Sequence, residues 1–212
     1  MRIFLGTIFL FLSTFLFGQF EGVIHYNVTY EAVDESKSSL MSMLPNEASL
    51  YCKGQKSLFE QKIAGGGVQA FASDGEGGDA FLMMQFLGQG YKVEMSQEQM
   101  MSLKQTKNLE IEKTDDVKVI AGYTCKRGLA RSGAETLEFY YCTELESETN
   151  FPPVAKLDGL PLEYEIIKGG IKMKFFATSV EKMEVSDSKF EPLDGLVAMK
   201  FDVFAKSFAI IE

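Results

Sequence analysis

Alternating apolar and polar residues run through most of the chain and predict a protein built mainly of β-strands. From Phe20 to Glu31, the apolar residues Ile24, Tyr26 and Val28 alternate with other side chains, as in a strand that buries one face. Glycine-rich or polar turns separate further segments of this kind, which predicts antiparallel hairpins. These segments span residues 48–51, 57–63, 68–72, 80–87, 91–95, 109–112 and 117–120.

One predicted hairpin turns at residues 132–135 and can be read in register. Pairing Arg131 with Thr136 places Cys125 directly opposite Cys142 on the neighbouring strand. The turn residues and the strand pattern together set this register.

A second predicted hairpin turns at Gly169-Gly170, a sequence that suits a two-residue turn. Its register brings apolar side chains together on one face of the sheet and sets Glu165 against Lys174 on the other. The apolar pairs are Leu162 with Ala177, Tyr164 with Phe175, and Ile166 with Met173. One face of this hairpin is therefore expected to cover a core.

Helical patterns are fewer and shorter. Ser96 and Gln99 have the spacing of a capping box, which predicts the start of a helix, and residues 35–44 fit one or two helical turns. Near the C-terminus, apolar residues recur at spacings that predict an amphipathic helix. The alternation over residues 197–203 also fits a strand, but the helical spacing continues further along the chain. The buried face of this helix would consist of Val197, Phe201, Phe204, Phe208 and Ile211.

The first 18 residues have the pattern of a secretory signal peptide. Arg2 supplies a positive charge, Ile3 to Phe17 is almost wholly apolar, and Gly18 is a small residue at the exit. This apolar run is shorter than the roughly 18 residues that a spanning helix needs, which disfavours an uncleaved membrane anchor. We expect cleavage to leave residues 19–212 as one periplasmic or secreted domain without a transmembrane segment.

The chain is acidic, with a formal net charge of −9. Such a surface repels phosphate backbones, which argues against nucleic acid as a partner. It also argues against electrostatic attachment to a membrane surface.

The chain contains three cysteines, an odd number. Outside the cytoplasm a disulfide can persist, and the hairpin register predicts a bond between Cys125 and Cys142, with Cys52 left free. The alternative is that both residues are small buried side chains or free thiols. A slip of one residue in the register would place them on opposite faces and prevent the bond.

Two segments resemble the signatures of a family of secreted Bacteroidota proteins of unknown function. Residues 120–126 read IAGYTCK, which resembles the family's IAGYxCK, and residues 159–165 read GLPLEYE, like the family's second signature. The YCKG of residues 51–54 and the FEP of residues 190–192 also fit the family pattern. The family is similar in outline to the LolA/LolB-like periplasmic proteins.

This resemblance implies a fold and a class of ligand. LolA-like proteins fold as a curved antiparallel sheet, a half-barrel whose helices plug an apolar concave face, and they carry lipoproteins or other lipidic ligands. We therefore expect an α+β fold in which a curved antiparallel sheet carries a few short helices and the C-terminal amphipathic helix. The step from this fold to ligand carriage is an analogy between folds.

The sequence contains none of the catalytic motifs HExxH, GxSxG or a glycine-rich phosphate loop. His25, the only histidine, lies in a predicted strand without a motif that supplies a nucleophile or an orienting acid. Residues 74–79 resemble a calcium loop, but they lack its alternating ligands and distal glutamate, and a flexible hairpin tip explains them better. We expect neither enzymatic activity nor a cofactor or metal.

Methionine is abundant, with 11 residues in the chain. Thioethers bind Cu(I), but most of these methionines alternate with core residues, which favours a role in filling gaps in the core. Methionine and phenylalanine also line apolar ligand pockets. Residues 81–87 are apolar on both strand faces and therefore need cover on both sides, from the protein itself or from a ligand or partner.

Together with these patterns, the resemblance to LolA-like proteins implies a non-enzymatic periplasmic or envelope protein that binds a hydrophobic ligand, such as a lipid or acyl chain, on the concave face of its sheet. The alternative is a structural or protein-interaction component of the cell envelope that takes no small ligand. A continuous apolar cavity of roughly 300 Å³ or more would favour the carrier, and a cavity filled by phenylalanine and methionine would favour the interaction protein. The residues expected to contact the ligand are Phe81, Met83, Phe86, Tyr164, Met173, Phe175, Phe204 and Phe208.

Overall fold

One sheet of 12 strands makes up most of the described protein. The computed structural model describes residues 19–63, 65–75, 80–96, 98–99, 110–132, 135–148 and 157–207. The strands are β1 (Gly22–Ala32), β2 (Glu47–Lys53), β3 (Lys56–Ile63), β4 (Gly67–Ser73), β5 (Ala80–Phe86), β6 (Gln89–Met95), β7 (Ile111–Ile120), β8 (Tyr123–Ser132), β9 (Glu135–Cys142), β10 (Leu160–Lys168), β11 (Ile171–Lys182) and β12 (Val197–Ala198). Helix α1 spans Phe201–Ser207, and 3₁₀ helices span Glu35–Met43 and Asp187–Phe190.

The strand order across the sheet is β12-β6-β5-β4-β3-β2-β1-β11-β10-β9-β8-β7. Two series of consecutive hairpins, β2 to β6 and β7 to β11, meet at β1, which pairs with β2 on one side and with β11 on the other. Neighbouring strands are antiparallel except for the short β12, which runs parallel to β6. The chain is therefore a large, mostly antiparallel sheet with few helices, as the alternating pattern predicted.

The sheet is strongly curved at its centre. The rings of Phe59 in β3 and Phe175 in β11 have their centroids 5.7 Å apart, although β2 and β1 lie between these strands. In a flat sheet, strands three steps apart would be separated by about 14 Å. The face that carries Phe59 and Phe175, called the inner face below, is therefore concave here.

Aromatic side chains fill the centre of the inner face. Tyr164 of β10 stacks on Phe175 with ring centroids 4.6 Å apart, and Tyr26 of β1 meets Tyr164 edge to face at 5.8 Å. The Tyr26 hydroxyl donates a hydrogen bond to the carbonyl oxygen of Pro161 at 2.8 Å. All three rings are buried, so this part of the concave face is occupied by the protein's own side chains.

The opposite, outer face of β3 to β5 is covered by the segment that follows β11. Val185 and Phe190 of this segment pack against Met83 of β5 and its buried neighbours on β3 and β4. The segment is held by Asp187, whose carboxylate lies 3.1 Å from the Nζ atom of Lys56. β5 therefore has cover on its outer face, as its apolar sequence required.

Both predicted hairpin registers are confirmed. Arg131 pairs with Thr136 in the β8–β9 hairpin, and Tyr164 pairs with Phe175 in the β10–β11 hairpin. Glu165 pairs with Lys174, as expected for the polar face. The local turn chemistry and the alternation of side chains were sufficient to set these registers.

The predicted capping box at residues 96–99 is also present. The backbone N–H of Ser96 donates to the Oε1 atom of Gln99 at 2.9 Å, and the N–H of Gln99 donates to the Oγ atom of Ser96 at 3.2 Å. Glu98 and Gln99 are helical, and residues 100–109 lie outside the described part of the chain.

The C-terminal helix begins at Phe201, later than predicted. Val197 belongs to β12 and is 60% exposed, whereas Phe201 and Phe204 lie in α1 and are buried. The prediction that Val197 lies on the buried helix face was wrong, because pairing of residues 197–198 with β6 holds this segment extended. Phe208 and Ile211 lie outside the described residues.

The predicted disulfide is absent. Cys125, Cys142 and Cys52 are buried free cysteines. The Cys125 thiol donates a hydrogen bond to the carbonyl oxygen of Tyr123 at 3.6 Å, and its interaction with Cys142 raises the pKa of Cys125 and lowers that of Cys142. The register brings the two residues together as predicted, but a disulfide also requires a particular side-chain geometry that a strand register does not set.

The predicted signal peptide, residues 1–18, lies outside the described part of the chain. Among the residues that are described, none of the helices has the length and apolar character needed to cross a bilayer.

Candidate functional site

An apolar pocket of about 230 Å³ lies between β5, β6 and the C-terminal segment. Leu82 of β5 pairs with Phe71 of β4, which in turn pairs with Phe59 of β3. Directly opposed residues in an antiparallel ladder point to the same face, so the pocket lies on the inner face. It is lined by Ile63, Leu82, Met84, Gln85, Phe86, Gln89, Tyr91, Val93, Met199 and Phe204.

The strand alternation of the β5–β6 hairpin builds the floor of this pocket. Every second residue of β5 points to the inner face, and each is opposed by a residue of β6. The opposed pairs are Leu82 with Val93, Met84 with Tyr91, and Phe86 with Gln89. Large side chains on both strands therefore make a continuous apolar surface.

Helix α1 and the segment before it form a wall of the pocket. Phe204 packs with Phe201 against the inner face of β5 and β6. The backbone N–H of Met199 donates to the carbonyl oxygen of Lys92 at 2.8 Å, which fixes the start of this wall to the edge of the sheet. The parallel pairing of β12 with β6 adds to the same attachment.

The β5–β6 turn forms the rim of the pocket. Phe86 and Gln89 flank the two turn residues Leu87 and Gly88, which have φ values of 51° and 77°. Leu87 is 79% exposed, and Phe86 is partly exposed beside it. The apolar surface of the pocket therefore continues outward onto the rim.

The polar groups in the pocket lining are uncharged. They are the carboxamides of Gln85 and Gln89 and the phenol of Tyr91. Lys92, the next residue along β6, lines a different pocket of about 350 Å³ and forms an ion pair with Glu94 at 2.7 Å. The pocket is thus suited to an apolar group that carries neutral hydrogen-bonding atoms.

The residues predicted to contact a ligand are distributed over both faces. Phe86 and Phe204 line the apolar pocket. Tyr164 and Phe175 are stacked in the central core, and Met173 packs against that core. The inner-face residues therefore divide between a filled centre and an open pocket nearer the sheet edge.

Phe81 and Met83 lie on the outer face of β5. Met83 is buried under Val185 and Phe190, and Phe81 lines the outer, polar pocket. Phe208 lies outside the described residues.

Sequence reasoning missed the other lining residues of the pocket. For Leu82, Met84, Tyr91 and Val93, the signal is the alternation within residues 80–87 and 91–95, which assigns every second residue to a common face. The missed residues are Ile63, Leu82, Met84, Gln85, Gln89, Tyr91, Val93 and Met199.

His25 lies in a hydrogen-bonded arrangement on the outer face. Its Nδ1 atom is 2.9 Å from the Oγ atom of Ser49, and its Nε2 atom is 3.8 Å from a carboxylate oxygen of Glu181. Ser49 sits within β2, which pairs with both β1 and β3 at this residue. The backbone N–H groups around Ser49 therefore donate hydrogen bonds within the sheet. An acyl-transfer site, in contrast, needs free N–H groups to stabilise an oxyanion.

Comparison with known proteins gives a likeness of fold and no matching family. No protein-family model and no curated protein matches the sequence. The structure of PNGF-II in a P21 crystal form has a TM-score of 0.52 and 14% identity, over 89% of this chain and 33% of the PNGF-II chain. The chain thus spans about a third of the length of PNGF-II, and at this identity the likeness shows the fold alone.

Two further solved structures are more distant. The Mycobacterium tuberculosis lipoprotein LppX has a TM-score of 0.42 and 9% identity, over 78% of this chain and 89% of LppX. A chain of the Pseudomonas aeruginosa MucA/MucB complex has a TM-score of 0.33 and 9% identity, over 81% of this chain and 56% of that chain. These two likenesses are too weak to show a shared fold.

Proposed function

We propose that the protein is a non-enzymatic binding protein of the cell envelope that holds the apolar part of a lipid-like ligand in the pocket between β5, β6 and α1. The observation that carries this proposal is the apolar pocket of about 230 Å³ on the inner face. Ligand sites of this kind are concave, mostly apolar and supplied with a few polar groups that orient the ligand. Binding would occur by sequestration, without a covalent step.

The curvature of the sheet supports a half-barrel of the LolA-like type. The contact between Phe59 and Phe175 makes the centre of the inner face concave, and α1 packs on the same face near its edge. In this proposal, the central rings act as a rigid plug, and the ligand occupies the pocket between β5, β6 and α1.

The size of the pocket limits how much of a ligand it encloses. Its volume is below the roughly 300 Å³ expected above of a carrier, so the pocket by itself encloses only part of a ligand. In this proposal, one apolar chain enters the pocket, and the rest of the ligand lies along the partly exposed side chains of Phe86 and Tyr91 at the rim.

The proposal is tested with the neutral fluorescent probe N-phenyl-1-naphthylamine. The probe should gain fluorescence on binding, and 1-decanoyl glycerol should displace it. The substitution Met84→Gln should weaken binding about tenfold, because it places an amide against the apolar chain. Met183→Gln changes a methionine that does not line the pocket and should leave binding unchanged. Absence of probe binding, or equal effects of the two substitutions, would refute the proposal.

The edge strand β7 favours a second candidate, a protein-interaction component of the envelope. Val117 and Val119 of β7 are 64% and 69% exposed, and within the described residues β7 pairs only with β8. An edge strand with exposed apolar side chains can accept a strand from a partner. Val119→Lys should disrupt such a complex while leaving probe binding intact, as measured by native mass spectrometry of protein isolated from its own envelope.

A further inference from the structure

The strand alternation that builds the apolar pocket also determines which charges can reach it. Gln89 is opposed to Phe86 and therefore points to the inner face, as Tyr91 does through its pairing with Met84. Lys92 alternates to the outer face, where it lines the polar pocket with Phe81. Its ion pair with Glu94 further compensates its charge.

The groups at the mouth of the pocket can form hydrogen bonds without a net charge. The Gln89 carboxamide has two N–H donors and a carbonyl acceptor, and the Tyr91 phenol can donate or accept. Both residues are exposed, so their polar ends can meet the head of a ligand whose chain lies on Met84 and Leu82. An ester, amide or alcohol would find partners here.

A carboxylate head would be placed less favourably. The head is only partly removed from water at this exposed mouth, but an anion without a cationic partner still loses more hydration free energy than a neutral group that is hydrogen-bonded. The net charge of −9 adds a general repulsion of anions. An ester head on the same acyl chain avoids both the loss of anion hydration and this repulsion.

We infer that the pocket selects apolar chains with a neutral hydrogen-bonding head, such as acyl esters, over fatty-acid anions. This inference rests on the proposed function, because it assumes that an apolar chain occupies the pocket. It identifies Gln89 and Tyr91 as the residues that determine head-group specificity.

The inference is tested by competition of 1-decanoyl glycerol and decanoate against N-phenyl-1-naphthylamine at pH 8, where decanoate is an anion. The two competitors share the same acyl chain. The ester should bind about tenfold more tightly than decanoate, because none of the described residues that line the pocket is cationic. Tyr91→Phe removes the phenol and should weaken binding of the ester.

The substitution Gln89→Lys supplies the missing cation at the mouth and should improve decanoate binding by about three- to tenfold. Asn27→Lys is the matched control, because it adds the same charge at an exposed position that lines a different pocket. Circular dichroism establishes that each variant is folded.

The outcomes separate the two proposals. Tighter ester binding together with a gain for decanoate in Gln89→Lys alone supports the inference. Equal or tighter binding of decanoate to the unmodified protein overturns the inference and leaves the proposed function in place. If neither competitor displaces the probe, or the probe does not bind, both proposals fail.

Discussion

At the scale of single residues, two-residue turns with positive φ at both positions explain several features of the sequence. Such turns occur at Leu87-Gly88, Ala121-Gly122 and Gly169-Gly170. Positive φ at both positions matches the right-handed twist of a hairpin, and asparagine and glycine adopt it most readily. The Ala-Gly within the IAGYTCK segment is thus the β7–β8 turn, flanked by the pair Ile120 and Tyr123.

Leu87 is unfavourable for this backbone conformation, since left-handed φ costs a residue with a Cβ atom about 1 kcal/mol or more. Leu87→Asn should therefore raise the free energy of unfolding by about 1 kcal/mol, because Asn-Gly suits this turn. Urea denaturation followed by circular dichroism measures the change. Leu87→Ala is the control, because it removes the exposed side chain but keeps the strain, and it should give no comparable gain. A less stable Leu87→Asn variant would contradict this account.

A close contact with the backbone of a neighbouring segment requires glycine at position 159, the first residue of the GLPLEYE segment. Its φ is +151°, and a Cβ atom there would lie 2.0 Å from the carbonyl oxygen of Cys142. Gly159→Ala should destabilise the protein by more than about 2 kcal/mol, since backbone rather than a flexible side chain must move. The comparison is Gly169→Ala, where φ is +57° and no atom lies within 4 Å of the added Cβ.

Thermal and urea unfolding of the two alanine variants distinguish these causes. Gly169→Ala should lose only about 1 kcal/mol, the cost of the left-handed conformation alone. Similar losses in the two variants would show that the contact with Cys142 does not constrain Gly159.

At the scale of secondary-structure elements, a carboxylate links three strands. The buried side chain of Glu163 in β10 lies 2.5 Å from the Nζ atom of Lys118 in β7 and 2.7 Å from that of Lys174 in β11. Lys118 also lies over the rings of Tyr140 and Phe176. Burial by itself would raise the pKa of Glu163, but the hydrogen bonds from the two lysines outweigh it and lower that pKa below 4.5.

A carboxylate whose pKa is lower in the folded state than in the unfolded state stabilises the protein at pH values above its unfolded-state pKa. This contribution is lost as the pH falls through the folded-state pKa. Glu163→Gln should therefore cost about 2 kcal/mol at pH 7, a value reduced from that of a fully buried pair because both lysines are partly exposed. The difference from the unmodified protein should shrink as the pH falls below about 4.5.

Urea denaturation across this pH range measures the dependence. Glu184→Gln, at an exposed carboxylate, is the control and should change stability little at either pH. A constant difference between Glu163→Gln and the unmodified protein from pH 7 to pH 3 would contradict the ion-pair explanation.

At the scale of the whole molecule, different parts of the curved sheet are covered by different side chains and segments. The rings of Tyr26, Tyr164 and Phe175 fill the centre of the inner face, and the segment after β11 covers the outer face of β3 to β5. Toward the β6 edge, α1 leaves space above β5 and β6. This arrangement confines the proposed ligand to one end of the sheet.

The proposed envelope location predicts that protein isolated from its native host lacks residues 1–18. The pattern of Arg2, the apolar run and Gly18 places the cleavage site after Gly18. Intact-mass analysis should therefore give the mass of a chain that begins at Gln19. A mass that includes residues 1–18 would contradict export with cleavage.

Local patterns in the sequence determined the strands, two hairpin registers and the capping box at Ser96 and Gln99. Each depends on side chains within a few residues of one another, or on a turn that directly joins the paired strands. The register brought Cys125 and Cys142 together for the same reason, although it did not determine whether their sulfurs were bonded.

Only the tertiary structure decided which face of β5 is concave and what covers each face. Alternation places Phe81 and Met83 on one face of β5 and Leu82 and Phe86 on the other. Because both sets are apolar, the sequence does not show which face is concave. Contacts with distant parts of the chain decide it. Likewise, Val197 fits a helical spacing, yet pairing with β6, about a hundred residues earlier in the chain, holds it extended. Contacts between distant parts of the chain made these choices, because local pattern allowed both outcomes.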